Sequence, residues 1–123
     1  MKKIFVFVLV LIPFVGIAQK NVTVKECEQM MREIANLQII DVRTPIEFDS
    51  VSIQNSVNID YKKPNFKDSI LMVDKNLPVL VYCRSGKRSY NAMQIMISLG
   101  FKEVYNMQGG ILAFKSEFPE KVK

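Results

Sequence analysis

Residues 79–89 indicate the fold class most clearly and read Val79-Leu80-Val81-Tyr82-Cys83-Arg84-Ser85-Gly86-Lys87-Arg88-Ser89. Its first four residues are apolar or aromatic and include two valines, which predicts a short buried strand. A basic loop that contains a glycine follows, and the spacing of apolar residues from Ser89 to Leu99 predicts a helix. Cys83 therefore lies where a strand passes into a helix.

The predicted surroundings of Cys83 favour a thiolate. Unpaired backbone N–H groups at a helix start carry partial positive charge, and Arg84, Lys87 and Arg88 add full charges beside the sulfur. The backbone amides of the basic loop can curl around an anion, with Gly86 supplying any positive φ that the curl requires. These features predict a nucleophilic sulfur in an anion-binding loop; the alternative is a buried structural cysteine before a solvated basic turn.

Three other stretches accompany the basic loop: Ile39–Phe48, Ser56–Ile59 and Gly100–Ile111. Together with Tyr82–Ser89 they resemble, in the same order, the motifs of the rhodanese family of sulfurtransferases. In that family a cysteine opens a six-residue loop and carries a persulfide. Four matches in the same order are far more specific than any one of them.

The resemblance implies a sulfurtransferase that moves sulfane sulfur from thiosulfate or a similar anionic donor to a thiol or cyanide. Cys83 would be the catalytic residue and would carry the sulfur as a persulfide. The rest of the loop would bind the donor through charged side chains and backbone amides: Arg84, Ser85, Gly86, Lys87, Arg88 and Ser89. Of these, Arg88 and Lys87 are the preferred donor ligands.

Asp41 and Arg43 lie at the end of a second predicted strand, Leu37–Val42, where open α/β sheets place their ligand sites. The simplest interpretation is an N-cap and a surface ion pair before Pro45, because isolated charged pairs rarely take part in catalysis. The alternative is that Asp41 orients the basic loop. The family resemblance implies that this Asp-x-Arg pair supports the active-site region without direct chemistry.

A helix with a buried cysteine is predicted near the start of the domain. Thr23-Val24-Lys25-Glu26 has capping-box spacing, with Thr23 as the N-cap, and Asn36 is the expected helix end. Apolar residues recur on one face of this helix: Cys27, Met30, Met31 and Ile34. This pattern places Cys27 in the core. Farther along, Gly100 stands where a left-handed C-terminal cap is expected.

Strands and helices alternate along the chain without a repeat or a low-complexity segment. This alternation predicts one α/β domain with a central parallel β-sheet and helices on both faces. The 123 residues fit one domain and are too few for two. The chain departs from the family pattern at Val51–Asn55, where the family usually has Gly-His-Ile followed by Pro-Gly.

Residues 1–18 predict a signal peptide. Met1-Lys2-Lys3 is positively charged, Ile4–Ala18 is an apolar run, and Gly16 and Ala18 supply the small residues that a signal peptidase reads. We expect cleavage before Gln19, a domain over 19–123, and an exported protein, periplasmic or secreted, without a stable membrane anchor. The alternative, an uncleaved anchor, is disfavoured because a membrane span needs about 20 apolar residues.

The charge balance argues against nucleic acid as a partner. The formal net charge is +5, and loss of Lys2 and Lys3 leaves 15 basic residues against 12 acidic ones, a net charge of +3. No basic run is interleaved with aromatic residues. A small anionic substrate better explains the charge around Cys83, and we expect a monomer.

The sequence contains no histidine, which excludes a Cys-His dyad and a Ser-His-Asp triad. Two distant cysteines without a Cys-x-x-Cys motif also argue against zinc, so we expect neither a metal nor a cofactor. If Cys83 is activated, the loop itself must activate it.

Three rival functions remain open at this stage. Cysteine phosphatases and arsenate reductases use a related loop, but phosphatases place five residues between Cys and Arg, and only four separate Cys83 from Arg88. A second rival is a non-catalytic module that binds a partner or stores sulfur. A third is a structural disulfide between Cys27 and Cys83, which strict disulfide geometry disfavours.

Overall fold

Residues 18–123 are described by the structure, a computed structural model. Strands and helices alternate within this range. The strands are β1 (Ala18–Val22), β2 (Gln38–Asp41), β3 (Val57–Asn58), β4 (Val79–Tyr82) and β5 (Glu103–Met107). The helices are α1 (Val24–Glu33), α2 (Pro45–Ser50), α3 (Phe66–Ile70), α4 (Lys87–Ser98) and α5 (Gly110–Glu117), followed by a 3-10 turn over Pro119–Lys121.

The strands form one parallel sheet in the order β1-β5-β4-β2-β3. All four residues of the central strand β4 are buried, and Asp41 pairs with Tyr82 at the carboxyl ends of β2 and β4. The next strand after β2 lies on one side of this pair, and the next strand after β4 lies on the other. In open α/β sheets such a reversal opens a crevice beyond the strand ends, where ligands bind.

The pleat of β4 divides the core between the two faces of the sheet. Val79 and Val81 pack with residues of α3 and α4, whereas Leu80 and Tyr82 pack with residues of α1 and α5. Successive side chains of a strand point to opposite faces, so Cys83 continues the alternation onto the α4 face. The predicted α/β architecture, with helices on both faces of a parallel sheet, is confirmed.

The two cysteines lie in different parts of the core. Cys83 belongs to the cluster on the α3 and α4 side, and Cys27 belongs to the cluster on the α1 and α5 side. Both are free thiols. The disulfide considered from the sequence is therefore absent from this structure, and the prediction that Cys27 is a core residue is confirmed by its full burial.

Strand β1 was not predicted, because it contains polar Gln19, Lys20 and Asn21 without an alternating pattern. Its pairing with β5, from Ala18 opposite Glu103 to Val22 opposite Met107, makes it a strand at the sheet edge. The predicted signal peptide falls outside the described residues except for Ala18, and export remains a prediction. Within residues 18–123, none of the helices has the length and apolar character needed to cross a bilayer.

Most of the helix caps that the sequence predicts are present in the structure. Thr23 caps α1 in a complete capping box, and Gly100 has a φ of 97° after α4. Helix α1 ends earlier than expected, at Glu33, since the chain leaves helical geometry at Ile34. In the segment that departs from the family pattern, Asn55 has a φ of 66°. Asparagine tolerates this left-handed conformation better than most residues, so it can replace the usual glycine.

Candidate active site

Cys83 is the first residue after β4, and α4 begins at Lys87, two residues before the predicted start at Ser89. The turn between them is therefore tight, and Gly86 makes it with a φ of 104° as the N-cap of α4. The expected positive φ at Gly86 is confirmed. The early helix start places Ser89 in the first turn, on the side that faces the sulfur.

The sulfur of Cys83 accepts two hydrogen bonds. The backbone N–H of Gly86 donates across 3.1 Å, and the hydroxyl of Ser89 donates across 3.3 Å. Cys83 is only 1% exposed and Ser89 is fully buried, so water does not surround these groups. A sulfur held by donors alone is better suited to a thiolate than to a thiol.

Two opposing effects set the pKa of Cys83. Burial raises it, but the hydroxyl of Ser89 and the backbone N–H groups of Ser89, Gly86 and Ser85 lower it more, so the pKa lies below the usual thiol value. The largest lowering effects come from hydrogen bonds. The sequence predicts that basic side chains and backbone amides both favour the Cys83 thiolate. It does not predict the hydrogen bond from the Ser89 hydroxyl to the sulfur.

The first turn of α5 packs against the loop from one side. The N–H of Ile111 donates to the Cys83 carbonyl across 2.9 Å, and the N–H of Leu112 donates to the Arg84 carbonyl across 3.3 Å. Gly110 permits this approach, because a Cβ there would lie 2.6 Å from the Cys83 oxygen and closer still to the Arg84 carbonyl. The contact fixes the start of the loop against the sheet.

Asn106 of β5 holds the other end of the turn. Its amide nitrogen donates to the Gly86 carbonyl across 3.1 Å and to the side-chain oxygen of Asn21 across 3.0 Å. The residue is 3% exposed, and its own side-chain oxygen accepts no hydrogen bond from residues 18–123. A buried amide that donates twice is a strong geometric restraint on the Gly86 peptide.

Asp41 and Arg43 form a buried ion pair, which corrects the expectation of a surface pair. The exposed fractions are 0% for Asp41 and 3% for Arg43, and the guanidinium binds the carboxylate through Nε and Nη2. Nη2 of Arg43 also donates to the Val51 carbonyl across 2.6 Å, which ties the end of α2 to β2. The expected N-cap role belongs instead to Thr44.

The three cations of the loop have different environments. Arg84 and Lys87 are exposed and make no salt bridge with residues 18–123, and Ser85 is exposed beside them. Arg88 instead binds Glu47 of α2 through two parallel hydrogen bonds of 2.8 and 2.9 Å. The structure therefore brings Cys83, Gly86 and Ser89 together and directs Arg88 to a carboxylate.

Comparison with known proteins identifies the family of this chain. A family model described as Rhodanese-like domain matches residues 23–117. The chain belongs to the rhodanese-like domain family. The thiosulfate sulfurtransferase GlpE of Pseudomonas syringae is 31% identical over 96 residues, which cover 78% of this chain and 88% of that protein.

Two other known proteins are similar to this chain at comparable identity. The probable adenylyltransferase/sulfurtransferase MoeZ of Mycobacterium tuberculosis is 28% identical over 97 residues, 79% of this chain, and the chain spans only 25% of its length. The crystal structure of a rhodanese-like domain protein from Staphylococcus aureus has a TM-score of 0.70 at 27% identity. That match covers 77% of this chain and 90% of the other.

A polar cleft of about 410 Å³ borders the rhodanese-like loop on the β5 side. Its lining includes Asn21, Ser85, Gly86, Lys87, Asn106 and Gln108. Lys87 is an exposed cation in this lining. Within residues 18–123 no group of three or more acidic or cysteine side chains is arranged to hold a metal ion.

Three important residues of this rhodanese-like site were not assigned a role from the sequence: Glu47, Asn106 and Gly110. Thr44 and Glu47 do have capping-box spacing, so Glu47 could have been noticed as a fixed carboxylate. Its contact with Arg88 spans 41 residues and has no local signal.

Proposed function

We propose that this protein transfers sulfane sulfur from thiosulfate, or a similar small anionic donor, to a thiol or cyanide through a persulfide on Cys83. The observation that carries the proposal is the pair of hydrogen bonds to the Cys83 sulfur, from the Gly86 N–H and the Ser89 hydroxyl. These hydrogen bonds lie in a loop whose cations Arg84 and Lys87 are exposed to solvent. Membership of a family that includes thiosulfate sulfurtransferases supports the same reaction.

In the first half-reaction, the Cys83 thiolate attacks the outer sulfur of thiosulfate. A bond forms between the cysteine sulfur and that outer sulfur, the sulfur–sulfur bond of thiosulfate breaks, and sulfite leaves with the electron pair. The products are a persulfide anion on Cys83 and sulfite, so charge and electrons balance. Splitting one displacement into two steps is the usual advantage of covalent catalysis.

In the second half-reaction, cyanide or a thiolate attacks the outer sulfur of the persulfide. Cyanide leaves as thiocyanate, or the thiol leaves as its own persulfide, and the Cys83 thiolate is regenerated. The donors that hold the thiolate, Gly86 and Ser89, also suit the thiolate as a leaving group. No oxidant or reductant is needed in either step.

Charge and access in this proposal are assigned to different residues. Arg84 and Lys87 attract the anionic donor, since both are exposed and carry no partner carboxylate among residues 18–123. Cys83 is recessed at 1% exposure, so the donor must present a narrow terminal sulfur. Thiosulfate has this shape, with its sulfonate oxygens left outside to meet the cations.

The experiment is intact-mass measurement of the mature protein before and after thiosulfate, under denaturing conditions without reductant. We expect a gain of one sulfur atom that disappears on adding cyanide, with thiocyanate released. Cys83→Ser should gain nothing, and the matched control Cys27→Ser should gain sulfur as the parent does. An equal gain in Cys83→Ser, or none in a parent whose Cys83 is a free thiol, would refute the proposal. A persulfide that no acceptor removes would indicate a sulfur carrier.

A further inference from the structure

An ion pair connects α2 to the first turn of α4. The carboxylate of Glu47 meets the guanidinium of Arg88 through two hydrogen bonds, 2.8 Å from Nη1 and 2.9 Å from Nη2. The side chains are 29% and 21% exposed. This parallel, partly buried arrangement is the strongest form of arginine–carboxylate pairing.

Glu47 is held in place from its own side as well. It completes the capping box of α2, where its Oε1 accepts from the Thr44 hydroxyl across 3.1 Å. Helix α2 is tied to the sheet by Arg43, which bridges Asp41 and the Val51 carbonyl. The carboxylate of Glu47 is therefore held in place by α2, and the Arg88 side chain points toward it.

Both partners of the pair are fully charged. The hydrogen bond from Arg88 lowers the pKa of Glu47 to about 2, although partial burial opposes the shift. The hydrogen bond to Glu47 raises the pKa of Arg88, and the charges of Cys83 and Asp41 act in the same direction. Arg88 therefore keeps its positive charge, and the carboxylate of Glu47 offsets it.

The pair changes the charge that an incoming anion meets. Arg84, Lys87 and Arg88 supply three positive charges at the loop, and Glu47 cancels one of them. The two cations left exposed, Arg84 and Lys87, equal the charge of a dianionic donor. Without Glu47 the loop would hold anions more strongly, including the leaving sulfite.

We propose that Glu47 is a positioning residue that sets the donor affinity of the site by keeping Arg88 out of anion binding. This inference rests on the proposed sulfur transfer. Glu47 does not touch the reacting atoms and acts only through Arg88. The expected substrate class is a small dianion whose product anion must leave again, and Glu47 limits how tightly both bind.

The test is Glu47→Gln, which keeps the size of the side chain and an oxygen for the capping box but removes the charge. We expect the KM for thiosulfate to fall about three- to tenfold while kcat changes by less than about twofold. The matched control is Glu26→Gln, the corresponding capping-box residue of α1, which does not contact Arg88. It should leave both constants unchanged.

A second pair of variants separates charge from structure. Arg88→Gln leaves Glu47 uncompensated and should raise the KM, whereas the double variant Glu47→Gln with Arg88→Gln restores the parent charge and should restore a KM near the parent value. An unchanged or raised KM in folded Glu47→Gln would overturn the proposal. So would a double variant as impaired as Arg88→Gln, since the pair would then act by packing.

A measurement that needs no sulfur transfer keeps this inference distinct from the proposed function. Iodoacetate is an anion and iodoacetamide is neutral, so the ratio of their rates at Cys83 reports the local potential. Glu47→Gln should raise that ratio about two- to threefold, even in a protein that moves no sulfur. An unchanged ratio, or a Cys83 that neither reagent modifies in the native protein, would overturn the inference.

Discussion

The hydroxyl of Ser89, in the first turn of α4, donates a hydrogen bond to the sulfur of Cys83 across 3.3 Å. The contact exists because α4 starts at Lys87 and turns this side chain back toward the loop. Ser89 is fully buried, so no bulk water can replace the bond. Hydrogen bonds to a charged acceptor contribute about 1.5–3 kcal/mol, roughly a tenfold effect or more on an equilibrium.

Ser89→Ala should therefore raise the pKa of Cys83 and slow persulfide formation at neutral pH by about three- to tenfold. The rates of parent and variant should converge at alkaline pH, where the thiol is ionised in both. The measurement is the pH profile of the reaction of Cys83 with iodoacetamide and with thiosulfate. Ser98→Ala, on the exposed end of the same helix, is the control. Identical midpoints for parent and Ser89→Ala would contradict the assignment.

Cys27 should be chemically silent in the native protein. It is fully buried, and burial together with the charge of Glu26 raises its pKa to about 12. We expect one thiol to react in the native state and two in denaturant. Cys27→Ala should retain sulfur uptake and lose about 1–2 kcal/mol of unfolding free energy through the lost packing. Equal native reactivity of both thiols, or a disulfide-bonded mass, would show this to be wrong.

Gly110→Ala should disrupt the loop more than Gly100→Ala does. Both glycines have positive φ, 61° and 97°, so either substitution costs about 1–2 kcal/mol in backbone strain. A Cβ at Gly100 would meet nothing within 4 Å, but at Gly110 it would press on the carbonyls of Arg84 and Cys83. We expect a further loss of about 1–3 kcal/mol and greatly reduced sulfur uptake for Gly110→Ala.

Denaturant unfolding and the rate of persulfide formation measure the two effects of this glycine pair. Equal losses of stability in the two variants would mean that the start of α5 can move away from the loop without a loss of unfolding free energy. Since the N–H groups of Ile111 and Leu112 would move with it, sulfur uptake tests this contact independently of stability.

Asn106→Asp should make stability depend on pH. A carboxylate there would face two acceptors, the Gly86 carbonyl and the Asn21 oxygen, with no donor to offer. The folded-state pKa of the introduced carboxyl group would rise above its value in the unfolded chain. The stability of the folded variant would therefore be retained in acid and lost as the pH rises. We expect a loss of about 2–3 kcal/mol at neutral pH, measured by denaturant unfolding. The exposed Asn91→Asp should show little change, and a pH-independent loss in Asn106→Asp would argue against this geometry.

The elements predicted correctly are those with local signals. The continuous apolar run of β4 places Cys83 after a buried strand, and Thr23 and Gly100 mark the ends of helices through their own chemistry. Strand β1 has no such signal, because a polar edge strand is specified by its partner β5. Burial is equally nonlocal. The sequence predicts a surface ion pair for Asp41 and Arg43, but the folded chain buries both side chains.

The position of Cys83 after a buried strand and the glycine turn that follows it were predicted, and the interactions between elements around them were not. Cys83 and its glycine turn belong to one stretch of chain, so residue order alone indicates them. Glu47, Asn106 and Gly110 act on that stretch from three other elements, and their roles depend on strand order. The partner of Arg88 also depends on the fold, because a long cationic side chain pairs with whichever fixed carboxylate the fold brings near it.

Cys83 is 1% exposed, whereas Arg84, Ser85 and Lys87, which follow it in the loop, are exposed. In the proposed reaction, a persulfide would lengthen the Cys83 side chain by one sulfur–sulfur bond of about 2 Å. The sulfur atom to be delivered would then lie one bond beyond the recessed cysteine sulfur. An acceptor that is too wide to reach the thiolate would still reach that atom, and bulky disulfides that cannot reach the bare thiol would not trap it.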